Sequence, residues 1–261
     1  KTYFSFNKPS PASFDFLTKA VSSHLQTHGS SVVLGADVEA IDKMIDTLSL
    51  FLSAEDRLKS SYTSVGASYA PDLILQGLIK PEKVKDADVI QSLLPTTVID
   101  LVTKQITRTH PYHVHRVLRK EFQKMELRKL SGKSDAKGSW ASQVSIFSPV
   151  KESSPFVENM LNEVFRLPSD LREGIVLQSR RLLVRKAVLL IKYVEARKSD
   201  HATLHNSEIK KLRADLHVAH ESDFGIVLAM AETYSPGIYS SLAGDPATIE
   251  ARFFELFFES F

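Results

Sequence analysis

The segment from Phe14 to Leu52 constrains this chain more than any other. A short run, Ser31-Val32-Val33-Leu34, closes at Gly35 and sits between two helical stripes. The run is β-branched and free of charge, which suits a buried strand. Before it, Phe14, Leu17, Val21 and Leu25 recur at helical spacing, and Gly29 follows as a stop signal. After it, Val38, Ile41, Ile45, Leu48 and Leu52 form a second stripe. Its opposite side carries Glu39, Asp42, Lys43 and Asp46, as expected of a helix packed on a sheet. The lead-in from Lys1 to Pro11 reads as extended, and a first residue other than Met suggests a piece of a longer chain.

The same alternation continues downstream. Ser53 to Ala70 is polar and reads as a loop. Asp72 to Ile79 is the next strand, with Gly77 a candidate bulge. Val89 to Leu94 and Val98 to Ile106 are further strands, separated by Pro95, which confines its neighbourhood to an edge or a turn. Helix, strand, helix, strand is the rhythm of a layered α/β domain. Beyond His110-Pro111 the pattern changes to a basic helix, Tyr112 to Leu130. A stretch rich in Gly, Ser and Lys follows, from Ser131 to Ser139.

From Ser154 onward only helices are expected. Ser154 is an N-cap with Pro155 at the first helical position, opening a helix through Phe165. Asp170 and Glu173 fit a capping box at the head of a long helix through Arg197. Asn206 or Ser207 caps a short helix, and Ser222 or Asp223 caps Phe224 to Thr233. After a Pro236-Gly237 turn, Ala247 to Phe258 is the last helix. The fold class is therefore α/β followed by all-α. Its expected parts are a central α/β part over 12–130, a linker over 131–153 and a helical part over 154–261.

Composition narrows the partners. With 43% hydrophobic and 25% charged residues the chain has the makings of a packed core. A net charge of +2 exerts little global pull on nucleic acid or anionic membrane. The absence of cysteine excludes disulfides and thiolate metal sites, and a reducing, cytoplasmic setting is expected. The most apolar stretch, Leu182 to Val194, is too short to span a bilayer and is broken by Arg185, Lys186 and Lys192. No secretory signal pattern is visible.

No Gly-Lys-Ser/Thr phosphate loop, dinucleotide fingerprint, Gly-x-Ser-x-Gly elbow or kinase signature occurs. His110, His113 and His115 cluster around Pro111. His201 and His205 are spaced for one helix face, as are His217 and His220. Each group lacks an evident third ligand, so they read as turn or surface histidines rather than a zinc site. Catalytic, cofactor-binding and metal-binding residues are all expected to be none.

Three features remain as candidates for partner contact. Arg116, Arg119, Lys120 and Lys124 make the helix 112–130 cationic, offset only by Glu121 and Glu126. Such a face is either a solvated helix surface or a docking site for an acidic protein or lipid. Arg180, Arg181, Arg185 and Lys186 lie inside a helical pattern, where ion pairing or snorkelling is favoured over an arginine finger. Phe254, Phe257, Phe258 and Phe261 share one face of the final helix. They are either core packing or a hydrophobic anchor for a partner.

Several islands of sequence, in order along the chain, resemble a known family. They include Ser22-Ser-His-Leu-Gln-Thr-His-Gly-Ser-Ser-Val-Val-Leu-Gly35, Leu48-Ser-Leu-Phe-Leu52, Leu75-Gln-Gly-Leu-Ile79 and Pro95-Thr-Thr-Val-Ile-Asp100. Arg185-Lys-Ala-Val-Leu-Leu-Ile-Lys-Tyr-Val-Glu195 and Leu212 to Glu232 continue the series. The chain resembles the C-terminal DENN region of the folliculin-like DENN family. The resemblance is to the branch named for a chromosome-nine open reading frame and linked to amyotrophic lateral sclerosis and frontotemporal dementia. Lys80 to Ser92 and Gly132 to Trp140 depart from that pattern.

The resemblance implies a DENN module without the longin domain that precedes it in family members. It implies a non-catalytic subunit that binds a second DENN-domain protein and, through it, a WD-repeat propeller. It further implies regulation of Rab and Arf GTPases in autophagy and in lysosomal and endosomal traffic. Stand-alone guanine nucleotide exchange on Rab proteins is the alternative. Membrane association is expected through partners only, with recruitment to lysosomes and endosomes. In isolation, a bare pairing surface is expected to favour a homodimer.

Overall fold

The structure, a computed structural model, describes residues 1–62, 68–79, 84–131, 146–198 and 206–243. Helix α1 (Pro11–Gln26) starts with Pro11 in its first turn, where a missing N–H costs nothing. It ends where His28 and Gly29 take left-handed conformations, with φ of 57° and 81°. The Gly29 N–H then returns to the His24 carbonyl at 2.8 Å and turns the chain into strand β1 (Ser31–Gly35). All five residues of that strand are buried.

Helix α2 (Val38–Ser49) begins at Asp37, whose carboxylate accepts from the N–H groups of Glu39 and Ala40. It buries Ile41, Met44, Ile45 and Leu48; of the expected stripe, Val38 is exposed at the head of the helix and Leu52 is buried beyond its end. Short helix α3 (Ala54–Leu58) and strand β2 (Ser60–Ser61) precede β3 (Leu75–Ile79). Helix α4 (Asp86–Val89), β4 (Thr97–Asp100), β5 (Gln105–Thr109), α5 (Tyr112–Leu130) and β6 (Phe147–Pro149) complete the first part. The helices α6 (Pro155–Arg166), α7 (Ser169–Lys198), α8 (Asn206–Asp215), α9 (Glu221–Tyr234) and α10 (Ile238–Ala243) follow.

The strands form one six-stranded sheet in the order β2-β3-β1-β4-β5-β6. β1 lies between β3 and β4 and is parallel to both, while β5 and β6 add antiparallel. Parallel pairing demands crossovers, and α2 with α3 provides one between β1 and its neighbours. Alternate residues of β1 face opposite sides. Val33 enters the main core, whereas Val32 and Leu34 join Leu78 on the other side. Burial on both faces explains why the run has no polar alternation.

Several expectations are corrected here. The strand over Asp72–Ile79 begins only at Leu75, and its register runs unbroken through Gly77, opposite Val33, so there is no bulge. Val89–Leu94 is not a strand: Val89 ends α4, and Val89 and Ile90 pack with Leu118, Phe122 and Ile146. The tertiary partner for that apolar pair is α5, not the sheet. Val98–Ile106 is split into a hairpin, because the Asp100 carboxylate accepts from Val102 and Thr103 N–H at 2.9 and 3.1 Å. Lys104 at φ 55° completes the turn. The lead-in also holds a short 3-10 helix, Tyr3–Ser5, anchored by fully buried Phe4 and by Tyr3 N–H on Thr47 Oγ1 at 2.8 Å. The segment expected to link the two parts contributes β6 to the sheet at 147–149.

Residues of the helical part and the α/β part enter one hydrophobic cluster, in which Leu17, Val21 and Val33 pack with Leu161, Leu190 and Val227. Helix α9 buries Phe224, Ile226, Val227, Leu228, Ala229 and Ala231, so it is wrapped on most sides. Helix α7 turns Val176, Leu183, Ala187, Leu190 and Val194 inward, a stripe at helical spacing. Each large apolar side chain fully buried this way contributes roughly 1.5–3 kcal/mol.

Polar joints fix the docking angles. Ser23 and Thr27 on and after α1 both bond Thr97 Oγ1, at 2.7 and 2.9 Å, and His24 Nδ1 meets Ser31 Oγ at 2.9 Å. Asp223 does not cap α9, which starts two residues earlier with His220 as its cap. Its carboxylate instead accepts from Ser154 Oγ and from Phe156 N–H, holding the head of α6. Arg172 of α7 donates to the carbonyls of Phe4, Phe6 and Leu167.

Gly29 offers a direct check on the α1–β1 turn. A Cβ there meets Leu52 Cδ2 at 2.3 Å, in a backbone conformation L side chains rarely adopt. Gly29→Ala is expected to destabilise the fold by about 1–3 kcal/mol, read from urea unfolding. A midpoint unchanged from the parent protein would contradict the turn geometry.

Candidate interaction surface

Helix α5 is held by its apolar side and offers its basic side. Leu118 and Phe122 anchor it among Val89, Ile90 and Ile146, and Met125 packs alongside. Four residues of the opposite stripe, Arg116, Arg119, Lys120 and Lys124, fall at i, i+3, i+4 and i+8, so helical geometry alone brings them to one face. Arg116, Lys120 and Lys124 are exposed, and Arg119 is half-buried with Nε donating to the Gln91 carbonyl at 3.0 Å. Lys124 pairs with Glu121 at 2.5 Å and Lys129 with Glu126 at 2.7 Å. Exposed pairs of this kind contribute about 0–1 kcal/mol and hold neither side chain firmly. Exposed Leu127 and Leu130 extend the face toward the end of the helix.

Helix α7 presents a second open face, where Leu171, Leu182 and Leu189 are exposed between Arg181, Arg185 and Lys192. Two other cations of this helix are occupied. Arg180 Nε donates to the Phe51 carbonyl at 3.0 Å, and Lys186 Nζ reaches the carbonyls of Leu216 and His217 at the end of α8. These bonds to backbone carbonyls, rather than ion pairs, tie α7 to its neighbours. Phe254, Phe257, Phe258 and Phe261 lie outside the described residues, as do His201 and His205.

The histidines around Pro111 are not surface residues as a set. His115 is fully buried, and its Nε2 donates to the Ser92 carbonyl at 2.9 Å. His113 stacks at 5.6 Å from Tyr239, Tyr239 at 5.6 Å from Tyr112, and Tyr112 at 5.2 Å from His28. This ring cluster joins the end of α1, the head of α5 and α10. Sequence inspection missed it because His28 and Tyr239 come from distant segments; Tyr112 beside Pro111 was its one local sign. Among the described residues no group of three His, Cys, Asp or Glu side chains could hold a metal ion.

Burial keeps these rings neutral. It pushes His28 down to about 4, with repulsion from His115 adding to the effect. It pushes His115 down to about 4 as well, opposed by the Ser92 carbonyl and aided by the charges of Arg119 and His110. His24, behind the sheet, falls to about 3 through burial, against the pull of the Leu48 backbone.

Residues 3–115, from the 3-10 helix into the start of α5, match the C9orf72-like protein family. The protein named guanine nucleotide exchange factor C9orf72 in Homo sapiens is 32% identical over 250 residues, taking in 88% of this chain and 52% of that protein. The homologues of that name in Rattus norvegicus and Mus musculus match to the same extent. These matches are consistent with a C9orf72-like DENN protein, and the chain spans about half the length of the curated relatives it matches. Among the described residues no helix is long and apolar enough to cross a membrane.

The neutral imidazoles predict a definite acid response. Unfolding returns each to the ordinary value of 6.5, so the unfolded chain takes up protons that the folded chain refuses until about pH 4. Their contribution is fully present above pH 6.5 and drains away as the pH falls toward 4. Urea midpoints measured across that window should decline, and His28→Gln should flatten part of the decline. An unchanged slope in the variant would show that His28 is not held neutral.

Proposed function

We propose that this chain is a non-catalytic DENN-domain subunit of a complex that regulates small GTPases of the Rab and Arf families. In this reading it binds a second DENN-domain protein and, through that protein, a WD-repeat propeller. The complex works in autophagy and in lysosomal and endosomal traffic. The chain itself is cytoplasmic and meets membranes only through its partners.

The observation that carries GTPase regulation, common to both readings, is the match over 250 residues to proteins named as guanine nucleotide exchange factors. The shape of the surface supports it. The basic stripe of α5 suits an acidic partner, and the leucines of α7 flanked by Arg181 and Arg185 suit a mixed apolar and charged interface. Arg116, Arg119, Lys120 and Lys124 are the contact residues assigned on α5. The second reading is exchange by the chain alone, and the relatives' name favours it.

Release of a fluorescent nucleotide from a panel of Rab and Arf proteins separates the two. The chain alone is expected to leave release unchanged, whereas acceleration by the chain alone would hand the function to the second reading. Capture of a second DENN-domain protein should weaken at least about tenfold, or about 1.4 kcal/mol, when Arg116→Glu and Lys120→Glu are combined. Undiminished capture would remove α5 from the interface.

A further inference from the structure

A cavity of about 640 Å³ lies where the outer strands meet the helical part, between β5, the chain after β6, and helices α8 to α10. This size is typical of small-molecule sites. Phe224, Leu228 and Leu242 supply apolar wall, and Arg108, His113 and Tyr239 bring polar groups to it. The site draws on both parts of the chain, so no short stretch of sequence reveals it.

Arg108 is the decisive side chain. It is half-buried on β5, and its Nη1 donates to Gln26 Oε1, an uncharged acceptor. Gln26 is itself held by its Nε2 on the Ser222 carbonyl at 2.9 Å. The acidic groups nearby are otherwise engaged. Glu221 pairs with Arg213 at 2.6 Å, and the Glu232 carboxylate accepts from the N–H groups of Gly237 and Tyr239 at 2.8 and 2.9 Å. Glu152 lines the same cavity but is exposed to solvent. Among the described residues none forms an ion pair with Arg108.

A guanidinium carries five N–H donors, and a desolvated cation is costly until an anion meets it. Carboxylates and phosphates match its planar fork. Tyr239 and His113 line the same cavity and can add donors. Burial raises the Tyr239 phenol, so it stays protonated and able to donate. His113 Nδ1 is buried with no hydrogen-bond partner.

We propose that this cavity binds a small amphipathic oxyanion, a carboxylate or a phosphate ester on an apolar body. Arg108 holds the anionic end, Tyr239 donates to it, and Phe224, Leu228 and Leu242 enclose the body. Because the walls come from β5 on one side and α9 and α10 on the other, the ligand would clamp the helical part to the sheet.

Calorimetric titration of the whole 261-residue chain tests this, with octanoate and octyl phosphate as probes. Octanol and inorganic phosphate serve as controls that lack the anion or the apolar body. Saturable one-to-one binding of at least one anionic probe is expected, with both controls at least about tenfold weaker, and the tighter probe identifies the oxyanion. Arg108→Gln should lower the affinity at least about tenfold. Leu242→Trp, which fills the cavity from α10 and leaves Arg108 itself unchanged, should abolish binding, with circular dichroism confirming that both variants are folded. The proposal is overturned if neither anionic probe binds at millimolar concentration, or if octanol binds as tightly. Binding unaltered in a folded variant of either kind would overturn it equally.

Discussion

Burial of β1 on both faces is the constraint from which the rest of the structure follows. Its backbone groups are paired to β3 on one side and β4 on the other, and Val32 and Val33 are fully buried facing opposite ways. A strand in that position needs a covering layer above and below the sheet. Helices α1 and α2 supply one layer, with Leu17, Val21, Ile41 and Leu48 closing over Val33. The opposite side is smaller, where Val32, Leu34 and Leu78 pack with Tyr69, Val84 and Val98.

The helical part is attached to that frame through α1, and the attachment combines apolar area with buried polar joints. α1 lies between the sheet and the helices α6 and α9, so its side chains face two neighbours. Ser22 bonds the Ser154 N–H at 3.0 Å, while Ser23 bonds Thr97 on the sheet at 2.7 Å. These hydroxyls contribute modest energy, but leaving any of them without a partner costs about 1–3 kcal/mol. They therefore select one docking angle among the several that an apolar interface alone would tolerate. The same logic explains why Asp223 serves α6 rather than its own helix. A carboxylate across an interface satisfies the Phe156 N–H, which α6 cannot satisfy internally.

The outer surface divides by chemistry. α5 and α7 each have one apolar face turned inward and one face with cations and leucines turned out. The ring cluster and the Arg108 cavity sit elsewhere, at the seam between sheet and helices. That seam is where charge and burial conflict most, since it holds the buried imidazoles and a half-buried guanidinium.

Elements set by local periodicity and capping were legible in the sequence alone. These include the stripes of α1 and α2, the β-branched β1, the Ser154-Pro155 start of α6, the long helix α7, and the basic face of α5. Their signals lie within a turn or two of helix or a few residues of strand, so a single chain displays them. The division into α/β followed by helices was legible for the same reason. Tertiary structure decided the partners. Val89 and Ile90 have the β-branched look of a strand, yet α5 offers them a better apolar surface than the sheet edge. Asp100 breaks one apparent strand into a hairpin because its side chain competes for the next N–H groups. His115 looks exposed beside Pro111 and is buried only because the chain before β4 folds across it. The buried frame was thus written locally, as hydrophobic spacing, whereas the ring cluster and the cavity join residues far apart in the chain, which only the folded core brings together.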